Sequence, residues 1–250
     1  MSENRFRIFD ENGRIMKGHM NDGVINEAIP RVSPELIESI AKYGVAKIAE
    51  LQGYGGVMNK RIAPIKSGFQ MAGPAFTAWG RPGSMLFQVA ACYMAKPGDV
   101  LVFGGCSQSE YISFGDGIAG AVQRRGVAGL VMDAPTHDLL PLKELNFPMF
   151  CQGFATYAGG ASAGGGAVNI PVACGDVVVN PGDIIIGDDD GIVVVPWQDA
   201  ERIAAVAEAQ YPIDVERRRK AKEGTTMIEL NNMQPAIDKW VNFQKCVTGK

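Results

Sequence analysis

The chain has 250 residues, of which 46% are hydrophobic and 20% charged, and its formal net charge is −3. This length supports one large hydrophobic core, and the composition is that of an ordinary globular enzyme. The nearly balanced charge, without a dense basic run that carries aromatic residues, argues against nucleic acid as a direct partner.

Residues 1–32 lack a clear hydrophobic period and predict an N-terminal arm, in which His19 is expected to be inert. The first 18 residues are polar and do not contain the apolar core of a signal peptide. No apolar run approaches the roughly 18 residues that a membrane-spanning helix needs. We therefore expect a cytoplasmic protein with no membrane partner.

The cysteine pattern argues against both a disulfide framework and a zinc site. The number of cysteines is odd, and no two of them show the CxxC spacing of a metal or redox motif. We expect reduced thiols, mostly buried in the core. The five cysteines are Cys92, Cys106, Cys151, Cys174 and Cys246.

The first predicted elements alternate between helix and strand. Ser33 followed by Pro34 is typical of a helix start and predicts a helix to about Tyr43. A strand is predicted from Gln70 to Ala78, interrupted at Gly73-Pro74 by a bulge or an edge feature. Ser84 to Ala95 is apolar on nearly every side, which predicts a helix buried between two layers.

A strand, a helix and a second strand follow the turn Lys96-Pro97-Gly98-Asp99. The strands are Val100 to Phe103 and Val127 to Met132, and the helix runs from Gly117 to Arg125. This order predicts two parallel strands joined by a crossover helix.

Strand signals outnumber helix signals in the second half of the chain. The run AGGASAGGGAVN lacks the Lys-Ser/Thr of a phosphate-binding loop and is interpreted as a flexible loop. The β-branched residues of PVACGDVVVNPGD predict antiparallel strands, and IIIG and IVVVP predict a hairpin closed by Asp190-Gly191. We therefore expect a mixed β/β/α arrangement and not a doubly wound sheet.

The C-terminal region is predicted to be helical. A helix from Trp197 to Gln210 is expected to break at Pro212, and a charged helix continues to about Glu223 before a last helix near the end. The domain organisation that we expect is an N-terminal arm at 1–32, a main domain at 33–230 and a C-terminal helix at 231–250.

The first candidate site is Ser113-Phe114-Gly115-Asp116-Gly117, at the start of the crossover helix. Glycines on both sides of Asp116 let backbone N–H groups approach an anion, which the positive end of the helix dipole also favours. A carboxylate or phosphate of a small substrate would fit there. The alternative is that Asp116 only caps the helix and that the glycines only serve a tight turn.

The second candidate site is the segment Asp133-Ala134-Pro135-Thr136-His137-Asp138, directly after a predicted strand. Ligands bind at the carboxyl ends of strands in open α/β sheets. Mg²⁺ prefers one or two carboxylates together with water and substrate oxygens, so a single aspartate of this segment would suffice. The alternative is a turn whose aspartates cap the residues from Leu139 onward.

From about Ser33 to Leu230 the chain resembles the RraA-like family, which includes 4-hydroxy-4-methyl-2-oxoglutarate/4-carboxy-4-hydroxy-2-oxoadipate aldolases. The resemblance rests on KPGDVLVFGG, the FGD helix start, RRGVAGLVMDAPTHD, LNFPMFCQG and especially PVACGDVVVNPGDIIIGDDDGIVVVP. It implies an α/β fold, namely a swivelling β/β/α-type domain with mixed sheets and flanking helices.

The resemblance also implies a class II pyruvate aldolase site. Family aldolases carry an acidic residue, twenty intervening residues and then Arg-Asp; here Asp116 and His137 are separated by 20 residues and Asp138 follows. Asp138 would hold Mg²⁺ or Mn²⁺ and Asp116 would orient a metal-bound water. The backbone around Gly115, Gly117 and Ile118 would bind the pyruvyl carboxylate. A 4-hydroxy-2-oxo acid would be cleaved, or oxaloacetate decarboxylated, through a pyruvate enolate.

His137 departs from the family pattern because an arginine would offer a permanent charge and a planar fork of donors. His137 could donate to the same substrate oxygen, could act as an acid or base in altered chemistry, or could mark the loss of aldolase activity. A rival function is that of family members that bind and inhibit an RNA-degrading endonuclease. In those members glycine is typical at the position of Asp116, which favours the enzyme; a lyase or hydrolase acting on another oxo acid is a further alternative.

The family assembles as trimers or hexamers with sites at subunit boundaries, so the resemblance implies a homo-oligomer. The arm before Pro30 and the charged segment after Pro212 are candidate interface pieces. A neighbouring subunit would supply a further acidic group to the site, with Glu208 and Glu216 as the two candidates.

Overall fold

A computed structural model describes residues 23–81, 83–105, 114–156 and 165–248. The described residues fall into two units, Met1–Ala204 and Ala205–Lys250. Most of the predicted arm, including His19, lies outside the described residues, as does Cys106. None of the helices in the described ranges is long and apolar enough to cross a membrane.

The first unit is built on a mixed sheet of nine strands. Their path is β1-β7-β3-β4-β5-β6-β2, and β10 pairs with both β3 and β11. A separate antiparallel pair is formed by β8 and β9. The strands are β1 (Val24–Ile25), β2 (Ala63–Pro64), β3 (Met71–Gly80), β4 (Val100–Phe103), β5 (Gly129–Met132), β6 (Met149–Cys151), β7 (Gly166–Val168), β8 (Val172–Cys174), β9 (Val177–Val179), β10 (Ile184–Asp188) and β11 (Gly191–Val195).

The strands β3, β4, β5 and β6 run parallel, so their carboxyl ends lie at one edge of the sheet. β4 and β5 are buried along their whole length, as expected for parallel strands in the centre of an α/β fold. The helices of the first unit are α1 (Pro34–Ala41), α2 (Val45–Leu51), α3 (Leu86–Met94), α4 (Asp116–Arg124), α5 (Leu139–Leu145) and the 3₁₀ turn Trp197–Asp199. The predicted α/β fold with a mixed sheet and flanking helices is confirmed, as is the parallel β4-α4-β5 unit.

Strand β3 differs from the prediction because it continues through Gly73-Pro74 without interruption. Residues 71–74 pair with β10, whereas residues 75–78 pair with β4. Gly73 is needed for space at this change of partner, since a Cβ there would overlap the carbonyl oxygen of Gly98. Directly after these two residues, β3 changes its pairing partner from β10 to β4.

The two Pro-Gly-Asp turns share one geometry. The carboxylate of Asp99 accepts from the backbone N–H of Lys96 at 2.8 Å, and that of Asp183 accepts from the N–H of Asn180 at 2.8 Å. Both aspartates are buried. Arg31 compensates the charge of Asp99 with two hydrogen bonds, of 2.6 and 3.1 Å.

Helix α3 is not covered on every side, contrary to the prediction. Phe87 and Cys92 face the core, whereas 46% of Leu86 and 60% of Tyr93 are exposed. The uniform apolar character of the sequence did not reveal this difference because periodicity is lost when both faces are apolar. The glycine-rich run interpreted as a loop also contains strand β7, which pairs with β1 and β3.

The second unit, Ala205–Lys250, is helical. Helix α6 (Ala200–Lys222) continues through Pro212, so the predicted break is wrong. Pro212 is exposed, and water can hydrate the carbonyl group that loses its partner there. Helices α7 (Met227–Leu230) and α8 (Gln234–Thr248) complete the unit.

Candidate functional site

The two candidate segments meet at the carboxyl edge of the central sheet. Asp116 begins helix α4, which follows β4, and Asp138 precedes helix α5, which follows β5. The strands β4 and β5 are adjacent and parallel, which brings the chain segments that follow them together. The backbone N–H of Asp116 lies 3.4 Å from Oδ2 of Asp138.

Asp116 is the first helical residue of α4, so the alternative that it is the N-cap is wrong. Gly115 occupies the cap position and has no side chain with which to accept a hydrogen bond. The carboxylate of Asp138 supplies the negative charge at this helix end, where the helix dipole favours an anion. The contact of 3.4 Å is longer than an ordinary amide hydrogen bond, so it satisfies the N–H of Asp116 only weakly.

Asp138 has a left-handed backbone conformation, with φ 60° and ψ 42°. Few residues other than glycine adopt this conformation, and aspartate and asparagine tolerate it better than most. The side chain of Asp138 is 39% exposed, and its Oδ2 lies 3.2 Å from Nε2 of His137. Backbone conformations that few residues adopt are concentrated at functional sites.

Gly115 has extended backbone angles that any residue can adopt, so the side chains of His137 and Asp138 are what restrict a larger residue there. A Cβ at position 115 would overlap both Oδ2 of Asp138 and Nε2 of His137. A Cβ at Gly117 would meet no atom within 4 Å. Helix α4 therefore approaches the His137-Asp138 pair through Gly115, whereas Gly117 faces open space.

Thr136 joins the two segments directly. Its hydroxyl donates a hydrogen bond of 2.6 Å to the carbonyl oxygen of Phe114, and its side chain is fully buried. Phe114 is itself fixed in the core, where its ring meets the ring of Phe103 edge-on at 5.8 Å. No sequence pattern predicted this role, because a threonine in a turn has many uses.

Asp133 anchors the start of the second segment from within the core. Arg61 donates to both its carboxylate oxygens, at 3.0 and 3.1 Å, and Gln152 donates to Oδ1. The backbone N–H of Gly175 also donates, at 3.1 Å. Asp133, unlike Asp138, therefore has a structural role. Arg61 is far from this segment in sequence, so no sequence pattern linked the two.

Arg61 is held by a second carboxylate as well, that of Asp176, at 2.7 Å from both Nη atoms. Together with Asn59, which donates to Asp176 at 2.8 Å, this contact holds the pKa of Asp176 below its usual range. Each of the three guanidinium nitrogens of Arg61 thus donates to a carboxylate. Arg61 does not offer a free cation in place of the family arginine.

The donor set at Asp138 fits a hard divalent cation with few protein ligands. Among the described residues, Oδ1 of Asp138 has no hydrogen-bond partner, and no group of three or more His, Cys, Asp or Glu side chains is placed to hold a metal. A zinc-type site would need three or four such ligands. One exposed carboxylate is instead what Mg²⁺ or Mn²⁺ takes when water and substrate supply the other oxygens.

The structure thus brings Gly115, Asp116, His137 and Asp138 together, and Gly117 and Ile118 follow in the first turn of α4. Gly117 is exposed and Ile118 half-buried. The thiols of Cys92, Cys151 and Cys174 are buried, as predicted.

A family model described as RraA-like, Aldolase/RraA, matches residues 34–194. A protein of Halalkalibacterium halodurans with the name "Putative 4-hydroxy-4-methyl-2-oxoglutarate aldolase" is 34% identical over 171 residues, which are 68% of this chain and 81% of that protein. The similarity therefore covers most of both sequences and includes both candidate segments.

Solved structures agree with the family match. Streptomyces coelicolor RraAS2, described as an unusual member of the RNase ES inhibitor RraA protein family, is 29% identical with a TM-score of 0.68, over 76% of this chain and all of that one. An uncharacterized protein from Pseudomonas syringae has a TM-score of 0.70 at 20% identity, over 82% of this chain and 97% of its own, and supports the fold.

Proposed function

The chain belongs to the RraA-like family, and from this premise we propose that it is a divalent-metal-dependent carbon–carbon lyase acting on a small 4-hydroxy-2-oxo acid. Decarboxylation of oxaloacetate is the expected side activity. The observation that carries the proposal is the approach of Asp138, in its left-handed conformation, to the N-terminus of α4. This approach supports the proposal because a carboxylate that could hold a metal lies beside a helix end that could bind an anion.

The residues of the site divide the work between binding and proton transfer. The free N–H groups near Gly117 and Ile118, in the first turn of α4, bind the carboxylate of the substrate. Asp138 holds Mg²⁺ or Mn²⁺. A cation held there would supply Lewis-acid polarisation of the 2-oxo group and would stabilise negative charge on the pyruvate fragment.

Asp116 is the proposed base and acts through a water molecule on the proton of the 4-hydroxyl group. Loss of that proton turns the hydroxyl-bearing carbon into a carbonyl group, and the electron pair of the broken bond remains on the pyruvate fragment. A proton returned to that fragment, through water, completes pyruvate. The exposed position of Asp116 on the first turn of α4 allows such a water-mediated exchange.

His137 is the proposed substrate contact where family aldolases have arginine. Its side chain is 33% exposed and lies beside Asp138, so it can reach a ligand of that carboxylate. An imidazole offers one or two donors against the five of a guanidinium. We therefore propose that His137 shifts the preferred substrate and does not abolish the reaction.

A second candidate function is a binding protein without catalysis, which the similarity to RraAS2 favours. That function needs neither Asp116 nor Asp138 for chemistry. Pyruvate release from a panel of oxo acids, with and without metal, separates the two candidates.

The proposed functional form is a cytoplasmic homo-oligomer, a trimer or hexamer, in which the predicted arm at 1–32 and the C-terminal helix at 231–250 flank the catalytic domain at 33–230. A neighbouring subunit would complete the site with an acidic side chain. Both candidates stand: Glu208 and Glu216 lie on α6, and Arg219 and Lys220 engage Glu216 and hold its pKa below the usual range.

The test is pyruvate release from 4-hydroxy-4-methyl-2-oxoglutarate and from oxaloacetate, with Mg²⁺ or with EDTA. Asp138→Asn is the informative variant because asparagine tolerates the left-handed backbone while it removes the charge; Asp138→Ala is its companion. We expect metal-dependent release by the native protein, its loss in both variants, and a gain in His137→Arg. No release from any form, His137→Arg included, would contradict the proposal and favour the binding protein.

A further inference from the structure

Thr136 is a fully buried polar residue that the proposed reaction does not use. It belongs to the second segment of the site, two positions before Asp138, and its hydroxyl donates to the carbonyl oxygen of Phe114 in the first segment. A buried hydroxyl group is costly unless it is hydrogen-bonded, so this contact is a defined part of the structure.

The backbone of Thr136 is fixed on its other side. Its N–H donates to the carbonyl oxygen of Gly153 at 2.9 Å, and its carbonyl oxygen accepts from the N–H of Ala155 at 2.9 Å. Thr136 is therefore tied to the chain that leaves β6. Its side chain transmits this fixed position to Phe114 and so to the start of α4.

The contact between Asp116 and Asp138 has no strong hydrogen bond of its own. At 3.4 Å the N–H of Asp116 and Oδ2 of Asp138 are held together only loosely. The bond of 2.6 Å from Thr136 to Phe114 is the short hydrogen bond that joins the same two segments in the described part of the chain. Thr136 thus supplies the short hydrogen bond between the segment that carries Asp138 and the residue that precedes Gly115.

We infer that Thr136 is a positioning residue that sets the distance between Asp138 and the N-terminus of α4, and through it the binding of the metal and the substrate carboxylate. The inference rests on the proposed function for its catalytic consequence. Its structural consequence is that the hydroxyl of Thr136 holds the start of α4. This consequence does not depend on the proposed function. Threonine suits the role because its β-branched side chain is stiff at χ1.

The chain contains a matched control in Thr77. Its hydroxyl also donates to a backbone carbonyl oxygen, that of Ile170, at 2.6 Å, and Thr77 is also fully buried. Thr77 lies within β3 and contacts neither candidate segment in the described structure. Thr136→Val and Thr77→Val each remove one buried hydroxyl of the same kind, whereas Thr136→Ser keeps it.

Three measurements on the full chain test the inference. The first is binding of Mn²⁺ alone, read by electron paramagnetic resonance. The second is kcat and KM for pyruvate release. The third, which needs neither metal nor substrate, is amide hydrogen exchange of a peptide covering residues 114–122, where the N–H of Ala119 bonds to Gly115 in the first turn of α4.

In Thr136→Val we expect Mn²⁺ affinity and kcat to fall on the order of 10- to 100-fold, as for other residues that orient a metal ligand. Exchange at 114–122 should become faster. Thr136→Ser should restore all three readouts, and Thr77→Val should lower the melting temperature to a similar extent while leaving them as in the native protein.

Equal behaviour of Thr136→Val and Thr77→Val in all three readouts would overturn the inference. If the native protein neither binds Mn²⁺ nor releases pyruvate, the proposed function fails and hydrogen exchange alone decides the role of Thr136. Unchanged exchange at 114–122 in Thr136→Val would then also reject the positioning role.

Discussion

Arg61 and Asp133 form an ion pair whose two members differ in exposure. The side chain of Asp133 is 3% exposed and that of Arg61 is 30% exposed. Removing the arginine would leave a buried carboxylate without its main partner, which is much more costly than losing a surface pair.

We predict that Arg61→Met lowers the free energy of unfolding by about 3 kcal/mol, at the lower end of the effect of breaking a buried pair. Arg202→Met is the control, because Arg202 pairs with Asp199 on the surface and should change stability by no more than about 0.5 kcal/mol. Urea unfolding measures both variants. Equal losses would show that Asp133 does not depend on Arg61.

The buried thiols give a second prediction at the residue scale. Burial raises the pKa of Cys151 to about 11 and that of Cys92 to about 12. Only the thiolate reacts, so at pH 8 about one Cys151 in a thousand is reactive. Iodoacetamide should therefore leave both residues unmodified in the native protein at pH 8 and modify them in urea, as read by peptide mass spectrometry. Modification of Cys151 in the folded protein would contradict its buried, neutral state and would make it a candidate nucleophile.

Helix α4 is the element on which the site depends most. It approaches the His137-Asp138 pair through Gly115, where a side chain would overlap, and it presents Gly117 to open space. The same substitution at the cap position and at the second residue of the helix should therefore have opposite effects on stability.

We predict that Gly115→Ala displaces α4 from Asp138, lowers the melting temperature and weakens Mn²⁺ binding. Gly117→Ala should raise the free energy of unfolding by about 0.5 to 1 kcal/mol, because alanine restricts the unfolded chain and glycine does not. Thermal unfolding of both variants is the measurement. If alanine at the two positions has the same effect on the melting temperature, α4 can move away from the His137-Asp138 pair without loss of stability.

Elements were predicted well where a local signal fixes them. Ser33 caps α1, and its side chain accepts from the N–H of Leu36 as the Ser-Pro start indicated. The errors at α3 and α6 arose because a local pattern does not report the surroundings of a helix. An all-apolar sequence does not disclose which face of the helix is covered, and an exposed proline can be accommodated where water hydrates the freed carbonyl group.

At the scale of the whole molecule, the C-terminal segment is unusual because so few of its side chains are buried. Of residues 205–241 only Ala207 is buried. The large apolar side chains that are exposed in this segment are Tyr211, Ile213, Val215, Met227, Ile228, Met233, Ile237, Trp240 and Val241. Short helices are marginal in water without packing, so this segment is expected to need a partner.

We predict that the partner is a second copy of the chain. Residues 205–250 carry eight basic and six acidic side chains, whereas the remaining residues carry 16 and 21, so the segment and the rest of another copy have opposite net charge. Light scattering after size exclusion should give a homo-oligomer, and Ile237→Glu should reduce its mass. Asp238→Glu, which keeps the charge beside that position, is the control. A monomeric native protein would contradict the prediction.

The sequence by itself determined the family, the α/β class and the two segments of the site, because each depends on contiguous residues. These are the parallel β4-α4-β5 unit, the glycines around Asp116, and the turn that ends in Asp138. The tertiary structure decided which atoms meet. Three contacts join residues that lie 22 to 72 positions apart. They are the pairing of Arg61 with Asp133, the bond from Thr136 to Phe114, and the overlap that a side chain at Gly115 would have with His137 and Asp138. Such contacts follow from strand order and loop packing, which a local pattern does not encode.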